Sequence, residues 1–159
     1  MYNVGDKIAH PMHGGCIIEA IAEERISGVL RKYYILKTPK HGVTVKIPVE
    51  TSANVGIRPI ISPQTAENVI DSFSSAATVE STSWNKRYRE NLEKLKSGDL
   101  YEVAGVIKRL MTRDDMKGLS SAERKMLASA KQILISEIVL SQNSTYEEIE
   151  ERIDSCCRI

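Results

Sequence analysis

The chain has 159 residues, of which 42% are hydrophobic and 27% charged, the proportions of an ordinary globular protein of one medium or two small domains. Its 22 basic and 21 acidic residues nearly cancel, which excludes a polybasic, histone-like protein, and no apolar run approaches the roughly 18 residues that a membrane span needs. Three cysteines, two of them the neighbours Cys156 and Cys157, do not make a disulfide framework; with an opening MYNVGDKIAH unlike a signal peptide, the expectation is a cytoplasmic protein with no membrane partner.

Residues 1 to 60 carry the signature of short strands. Strands are predicted at Lys7 to His10, Cys16 to Glu23, Val29 to Leu36 and Val43 to Val49, with a short fifth near Ile57 to Ile60. They are separated by His13-Gly14-Gly15, Ser27-Gly28 and Pro39-Lys40-His41-Gly42, whose glycines and proline are what tight turns require. In the fourth strand Val43, Val45, Ile47 and Val49 alternate with Thr44, Lys46 and Pro48, so one face is buried and the other presented. Sixty residues of short strands are too few for a sandwich, and a small curled barrel of about five strands is the economical solution.

Beyond Asn54, Gly56, Pro59 and Pro63 the period becomes helical. Five helices are expected, at about 65 to 75, 84 to 96, 100 to 116, 121 to 141 and 146 to 156, after a Ser/Thr/Ala-rich loop from Ser74 to Ser83. Asp99 with Glu102, Ser120 with Glu123 and Thr145 with Glu148 each fit a capping box, while Gly98 and Gly118 stand where a left-handed residue would end the preceding helix. Val103, Val106, Ile107 and Leu110, then Leu127, Ala130, Leu134 and Ile138, then Tyr146, Ile149 and Ile153 form stripes for one packed bundle. The fold class is therefore α+β, with a strand domain over 1–60 and an all-α domain over 61–159.

The overall charge conceals an uneven distribution. Residues 1 to 60 sum to +3, residues 84 to 131 to +5 and the tail from Glu137 to Arg158 to −4. The basic middle segment contains the single tryptophan, Trp84, at the start of a helix among Asn85, Lys86, Arg87 and Arg89. An apolar wedge flanked by phosphate-binding side chains is what a protein needs to enter a minor groove and unstack a base step. The same spacing also permits core packing, since Trp84, Tyr88, Leu92 and Leu95 lie at i, i+4, i+8 and i+11. Arg124 and Lys125, with Lys108, Arg109 and Arg113, form a second basic group that is either a solvated face or an extension of the first.

Signals for chemistry are weak elsewhere. His10, His13 and Cys16 lie three residues apart, but His41, Cys156 and Cys157 do not complete the paired spacing of a zinc site, so no metal or other cofactor is expected. There is no phosphate-binding Gly-x-x-x-x-Gly-Lys-Ser/Thr loop, no Gly-x-Gly-x-x-Gly, no His-Glu-x-x-His and no Gly-x-Ser-x-Gly. The acids of Glu147 to Glu151 read as a solvated helix face, and neither an enzyme nor a small-molecule substrate is expected.

Over nearly its whole length the sequence resembles the CarD/CdnL family of bacterial transcription regulators. The resemblance is carried by VGDKIAHPMHGGCIIEAI, TVKIPVETSANVGIR, SWNKRYRENLEKLKSGDLYEVAGVIKRL and GLSSAERKMLASAKQILISEI, which include a Trp-x-x-Arg-Tyr element and the Gly-Leu-Ser capping box. It implies a Tudor-like N-terminal domain docked on the RNA polymerase β subunit, and a helical domain touching promoter DNA at the upstream edge of the melted bubble. DNA contact is largely sequence-independent, and the protein joins the nucleoid through the polymerase. Carried over by position, the wedge is Trp84, with Asn85, Lys86, Arg87 and Arg89 around it and Arg124 and Lys125 on the backbone. The presented strand residues Thr44, Lys46 and Pro48, together with Glu24, face the polymerase. Two positions depart from the family pattern: His10 precedes Pro11 where relatives often carry Tyr, and acidic Glu24 stands where a basic residue serves the polymerase contact. The other reading is a protein–protein adaptor of the transcription machinery that keeps Trp84 in its core.

Overall fold

The computed structural model describes residues 1–39, 42–75 and 83–157. Most of the expected loop from Ser74 to Ser83, and Lys40 and His41 of the third expected turn, lie outside the described residues. Strands β1 (Lys7–His10), β2 (Gly14–Ile26), β3 (Val29–Lys37), β4 (Thr44–Pro48) and β5 (Arg58–Pro59) form one sheet in the order β4-β3-β2-β1-β5. Every neighbouring pair is antiparallel.

This sheet is open, with β4 and β5 at its edges, rather than closed into the barrel expected from the sequence. The two-residue β5 is too short to pair on both sides, and Pro59 lacks the N–H that a further ladder would use. Strands β2 and β3 join through Ser27 (φ 53°) and Gly28 (φ 79°), both in the left-handed conformation that a two-residue hairpin requires. An irregularity between Ile18 and Ala20 leaves Glu19 as an extra residue, and on either side Ile18, Ile21, Tyr34, Leu36 and Ile47 turn to one face. As the alternation in β4 predicts, Ile47 is buried while Thr44 and Lys46 are exposed.

The helices follow the sequence signals closely. After a single turn, α1 (Ser52–Val55), which the periodicity does not reveal, come α2 (Pro63–Ser72), α3 (Trp84–Lys96), α4 (Leu100–Lys117), α5 (Ser121–Gln142) and α6 (Tyr146–Cys157). Ser62 caps α2 through the Thr65 amide, with Pro63 in the first turn, and Ser83 caps α3 through Lys86. Ser120 and Glu123 form the reciprocal capping box, whereas Asp99 and Thr145 act through their side chains on the Tyr101 and Glu148 amides. Gly98 (φ 77°) and Gly118 (φ 78°) both have positive φ, but Gly118, with ψ 165°, is extended rather than in the left-handed helical conformation expected of it. Phe73, Val106, Ile107, Leu110, Leu134, Ile135, Ile138, Ile149 and Ile153 are buried in one helical core, and the acidic residues Glu147, Glu148 and Glu151 of α6 face solvent.

The sheet rests on α5. Gly14 and Gly15, expected in a turn, are the first residues of β2, and the turn itself is confined to residues 11–13. The reason is packing: a Cβ on Gly15 would lie 2.7 Å from the Ser136 carbonyl oxygen and 2.8 Å from Glu137 Cα, and one on Gly14 would lie 2.6 Å from the Ile133 carbonyl oxygen. Polar bonds complete the junction. The Gly15 amide donates to Ser136 Oγ at 2.9 Å, and Lys7 Nζ donates to the Leu140 carbonyl at 3.0 Å near the end of α5. Buried Glu137 accepts a two-pronged bond from Arg58 at 2.7 and 2.9 Å and a third from the Ile61 amide at 2.9 Å. A paired, fully bonded carboxylate tolerates this burial, but removing one partner would strand its charge.

Gly15→Ala is expected to destabilise the fold. Gly15 has an ordinary negative φ, so the effect isolates the steric clash with α5. Overpacking of this kind costs about 1–3 kcal/mol, or a fall in Tm of roughly 2–12 °C for a chain of this size, measurable by thermal unfolding followed by circular dichroism.

Candidate functional site

Trp84 is the first residue of α3, where the N-cap Ser83 directs the chain into the helix and the side chain sits at the helix end. The residue is 41% exposed. One ring face is stacked on Tyr88, one turn later, with centroids 5.1 Å apart and planes at 11°. The indole Nε1–H donates to Glu123 Oε1 at 3.2 Å. Trp84 is therefore not a buried core residue, although one ring face and the N–H edge are held by Tyr88 and Glu123.

Glu123 organises this end of the bundle. Oε1 accepts from Trp84, from Ser120 Oγ at 3.1 Å and from the Ser120 amide at 3.4 Å. Oε2 faces Arg87 Nε at 3.4 Å and Arg113 Nε at 3.8 Å. One carboxylate thus ties the starts of α3 and α5 to the last turns of α4. Burial pushes its pKa up, but the two Ser120 bonds, the Arg87 charge and the Trp84 N–H more than offset this and hold it below the ordinary glutamate value.

The basic residues separate into two groups. Asn85, Lys86 and Arg89 are exposed on the first turns of α3, and Arg124 and Lys125 are exposed immediately after Glu123 on α5. Lys125 borders a groove with Tyr88 and Leu92, whereas Arg124 borders a depression toward Tyr146 of α6, so the pair straddles the helix. Arg87, expected to bind phosphate, is only 2% exposed and is turned inward to Glu123. That expectation is corrected: reaching solvent would leave the Glu123 carboxylate without a principal counter-charge. Lys108 and Arg109 also leave the surface group, Lys108 donating to the Phe73 carbonyl and buried Arg109 to Asn91 Oδ1 at 3.2 Å.

On the sheet, Thr44, Lys46 and Pro48 lie along edge strand β4 on the face opposite the core. Lys46 Nζ is 4.7 Å from the centroid of the Tyr33 ring and forms an ion pair with Glu24 across the surface of β3. Glu24, acidic where the family pattern favours a base, therefore sits in a locally neutral pair. The sequence did not single out Tyr33, Tyr88 or Arg113 for these contacts, nor Glu123 for anything beyond its cap. Only the capping box marked Glu123, and it gives no hint that the same carboxylate reaches α3 and α4.

The His10 and His13 rings meet at a tilt of 56° with centroids 4.6 Å apart, and His10 Nδ1 accepts from the Met12 amide at 3.0 Å. Burial, reinforced by His13, pushes the His10 pKa down to about 4, and burial raises the Cys16 thiol to about 11. No group of three His, Cys, Asp or Glu side chains among the described residues is arranged to hold a metal, and His41 lies outside them. No helix among those residues is long and apolar enough to cross a membrane.

The chain is thus an open antiparallel sheet set on a helical bundle, with a part-exposed tryptophan held at a helix start. Residues 2–61 match the CarD-like/TRCF RID domain and residues 68–154 the CarD C-terminal domain. The chain is 33% identical over 150 residues to the "Putative transcription factor YdeB" of Bacillus subtilis (strain 168), covering 94% of this chain and 98% of that one. The protein belongs to the CarD/CdnL family.

Acid should loosen this site through Glu123. Its folded pKa lies below the ordinary value of 4.5, so its stabilising contribution is complete above that value and is lost as pH falls through the lower, folded one. Emission from the single tryptophan, which bonds this carboxylate, is expected to hold steady as pH falls to the ordinary glutamate value of 4.5 and to change only below it, as the carboxylate protonates at its lower folded pKa.

Proposed function

We propose that the protein is a transcription regulator that binds the RNA polymerase β subunit and stabilises the open promoter complex. In this reading the curled, Tudor-like sheet docks on the polymerase through Thr44, Lys46, Pro48 and Glu24, with Tyr33 beneath Lys46. Trp84 wedges into the minor groove at the upstream edge of the bubble. Asn85, Lys86, Arg89, Arg124 and Lys125 contact phosphates, and buried Arg87 supports the wedge from behind.

The observation that carries the reading is Trp84 itself, 41% exposed at a helix start whose own first turns carry the exposed cations Lys86 and Arg89. A tryptophan kept only for the core would be covered, which weighs against the adaptor reading. Polymerase docking supplies a high local concentration, so weak DNA contacts suffice and no operator sequence is required. The wedge shifts the promoter equilibrium because its contact exists mainly in the melted geometry, and a ligand shifts an equilibrium only by differential affinity. Stacking one aromatic ring on a base supplies about 1–2 kcal/mol, which corresponds to a roughly 5- to 30-fold slower collapse of the bubble.

The test is the lifetime of open complexes formed by the cognate polymerase alone, with the protein, and with a folded Trp84→Ala variant. The protein is expected to lengthen the lifetime and the variant to lose that gain; no lengthening by the natural protein would overturn the reading. For the docking face, Lys46→Glu places like charges beside Glu24 and is expected to reduce co-purification with polymerase. Unchanged recovery would show that this face is wrongly assigned.

A further inference from the structure

We propose that Glu123 is the positioning residue of the wedge: its carboxylate, through the indole N–H, fixes the direction in which Trp84 leaves the helix end. The inference rests on the wedge reading and adds to it a residue that does not itself touch DNA.

A carboxylate beside a DNA-facing side chain is at first sight a poor choice, because it repels phosphate. Here that cost is contained. Glu123 is 3% exposed, and Arg87 and Arg113 flank the oxygen that does not face the indole. It therefore presents little negative potential to the surface while keeping its full strength as an acceptor.

The two oxygens have separate tasks, which makes the group hard to replace. Oε1 takes the indole N–H and the Ser120 cap, and Oε2 takes the guanidinium groups. A glutamine has one acceptor oxygen and one NH2. If its oxygen serves Trp84, its NH2 confronts Arg87; if it is flipped, two N–H groups meet at the indole. Tyr88 stacking limits the ring on one face but sets no hydrogen-bond direction, so the N–H bond is the contact that defines which edge points outward. An indole held in its working direction before DNA arrives loses less freedom on insertion than one that swings about its side-chain torsions.

The natural chain, Trp84→Ala, Glu123→Gln, and a chain with 3-benzothienylalanine at position 84 are compared at saturating protein and below their melting temperatures. Benzothienylalanine keeps the shape of the ring and replaces its N–H by sulfur. Glu123→Gln is expected to red-shift the Trp84 emission, speed its local anisotropy decay, and cut the gain in open-complex lifetime at least threefold. The benzothienyl chain, whose capping box is intact, is expected to lose a similar share of the gain, and adding Glu123→Gln to it to cost little more. That non-additivity separates positioning from a general loss of stability. A full gain with the folded Glu123→Gln variant, or with the benzothienyl chain should the glutamine variant fail to fold, overturns the inference while a null Trp84→Ala leaves the wedge intact. Equal further losses from Glu123→Gln in both backgrounds overturn it as well. A full gain with Trp84→Ala overturns the wedge reading itself.

Discussion

The architecture depends on one close approach, that of β2 to α5. Two successive residues without side chains, Gly14 and Gly15, let strand backbone meet helix backbone at Ile133, Ser136 and Glu137. Backbone polar groups pressed together this way need partners, and Ser136 Oγ supplies one to the Gly15 amide. Without that contact the sheet would have to stand off α5 by the thickness of a side chain, and Arg58 would no longer meet Glu137 in two-pronged geometry. The position of the sheet relative to the bundle follows from the absence of two methyl groups.

Buried carboxylates on α5 do the rest. Glu137 gathers Arg58 and the Ile61 amide at the sheet junction, and Glu123 gathers Trp84, Ser120, Arg87 and Arg113 at the helix start. They are fourteen residues apart, close to four full turns, so both project from nearly the same side of the helix. In each case a glutamate with two acceptor oxygens joins chain segments that are distant in sequence, a task an apolar side chain cannot perform with direction.

Much of this was legible in the sequence because it is local. Capping chemistry at Ser83, Asp99, Ser120 and Thr145 places the helix starts, and the alternation within β4 marks Ile47 as buried and Thr44 and Lys46 as presented, although Val43, which it also assigns to the buried face, lies outside the strand and is exposed. Errors arose where a residue's partner is remote. Gly14 and Gly15 carry the chemistry of a turn, and only α5, more than a hundred residues away, makes them strand. Arg87 reads as one cation in a basic run, and only Glu123 draws it inward. Strand number and length point to a closed barrel, whereas the outcome turns on β5 being two residues long and ending in a proline. Trp84 was found from its basic company and its helix-start position, but its exposure required the tertiary structure, since i, i+4 spacing serves core and surface equally.

The continuity of α5 gives the molecule the mechanics of a lever. Between Glu123 and Ser136 the helix is uninterrupted, and thirteen residues at 1.5 Å each make an arm of about 20 Å. A tilt of about 5° at the glycine pivot would carry the far end through about 1.7 Å, more than half a hydrogen-bond length, over such an arm. The two glycines therefore set the angle at which the start of α5, and Trp84 bonded to it, stands to the sheet. Substitutions at the pivot and at the tip should be read as changes to one rigid body, in which small rotations at one end become atomic displacements at the other.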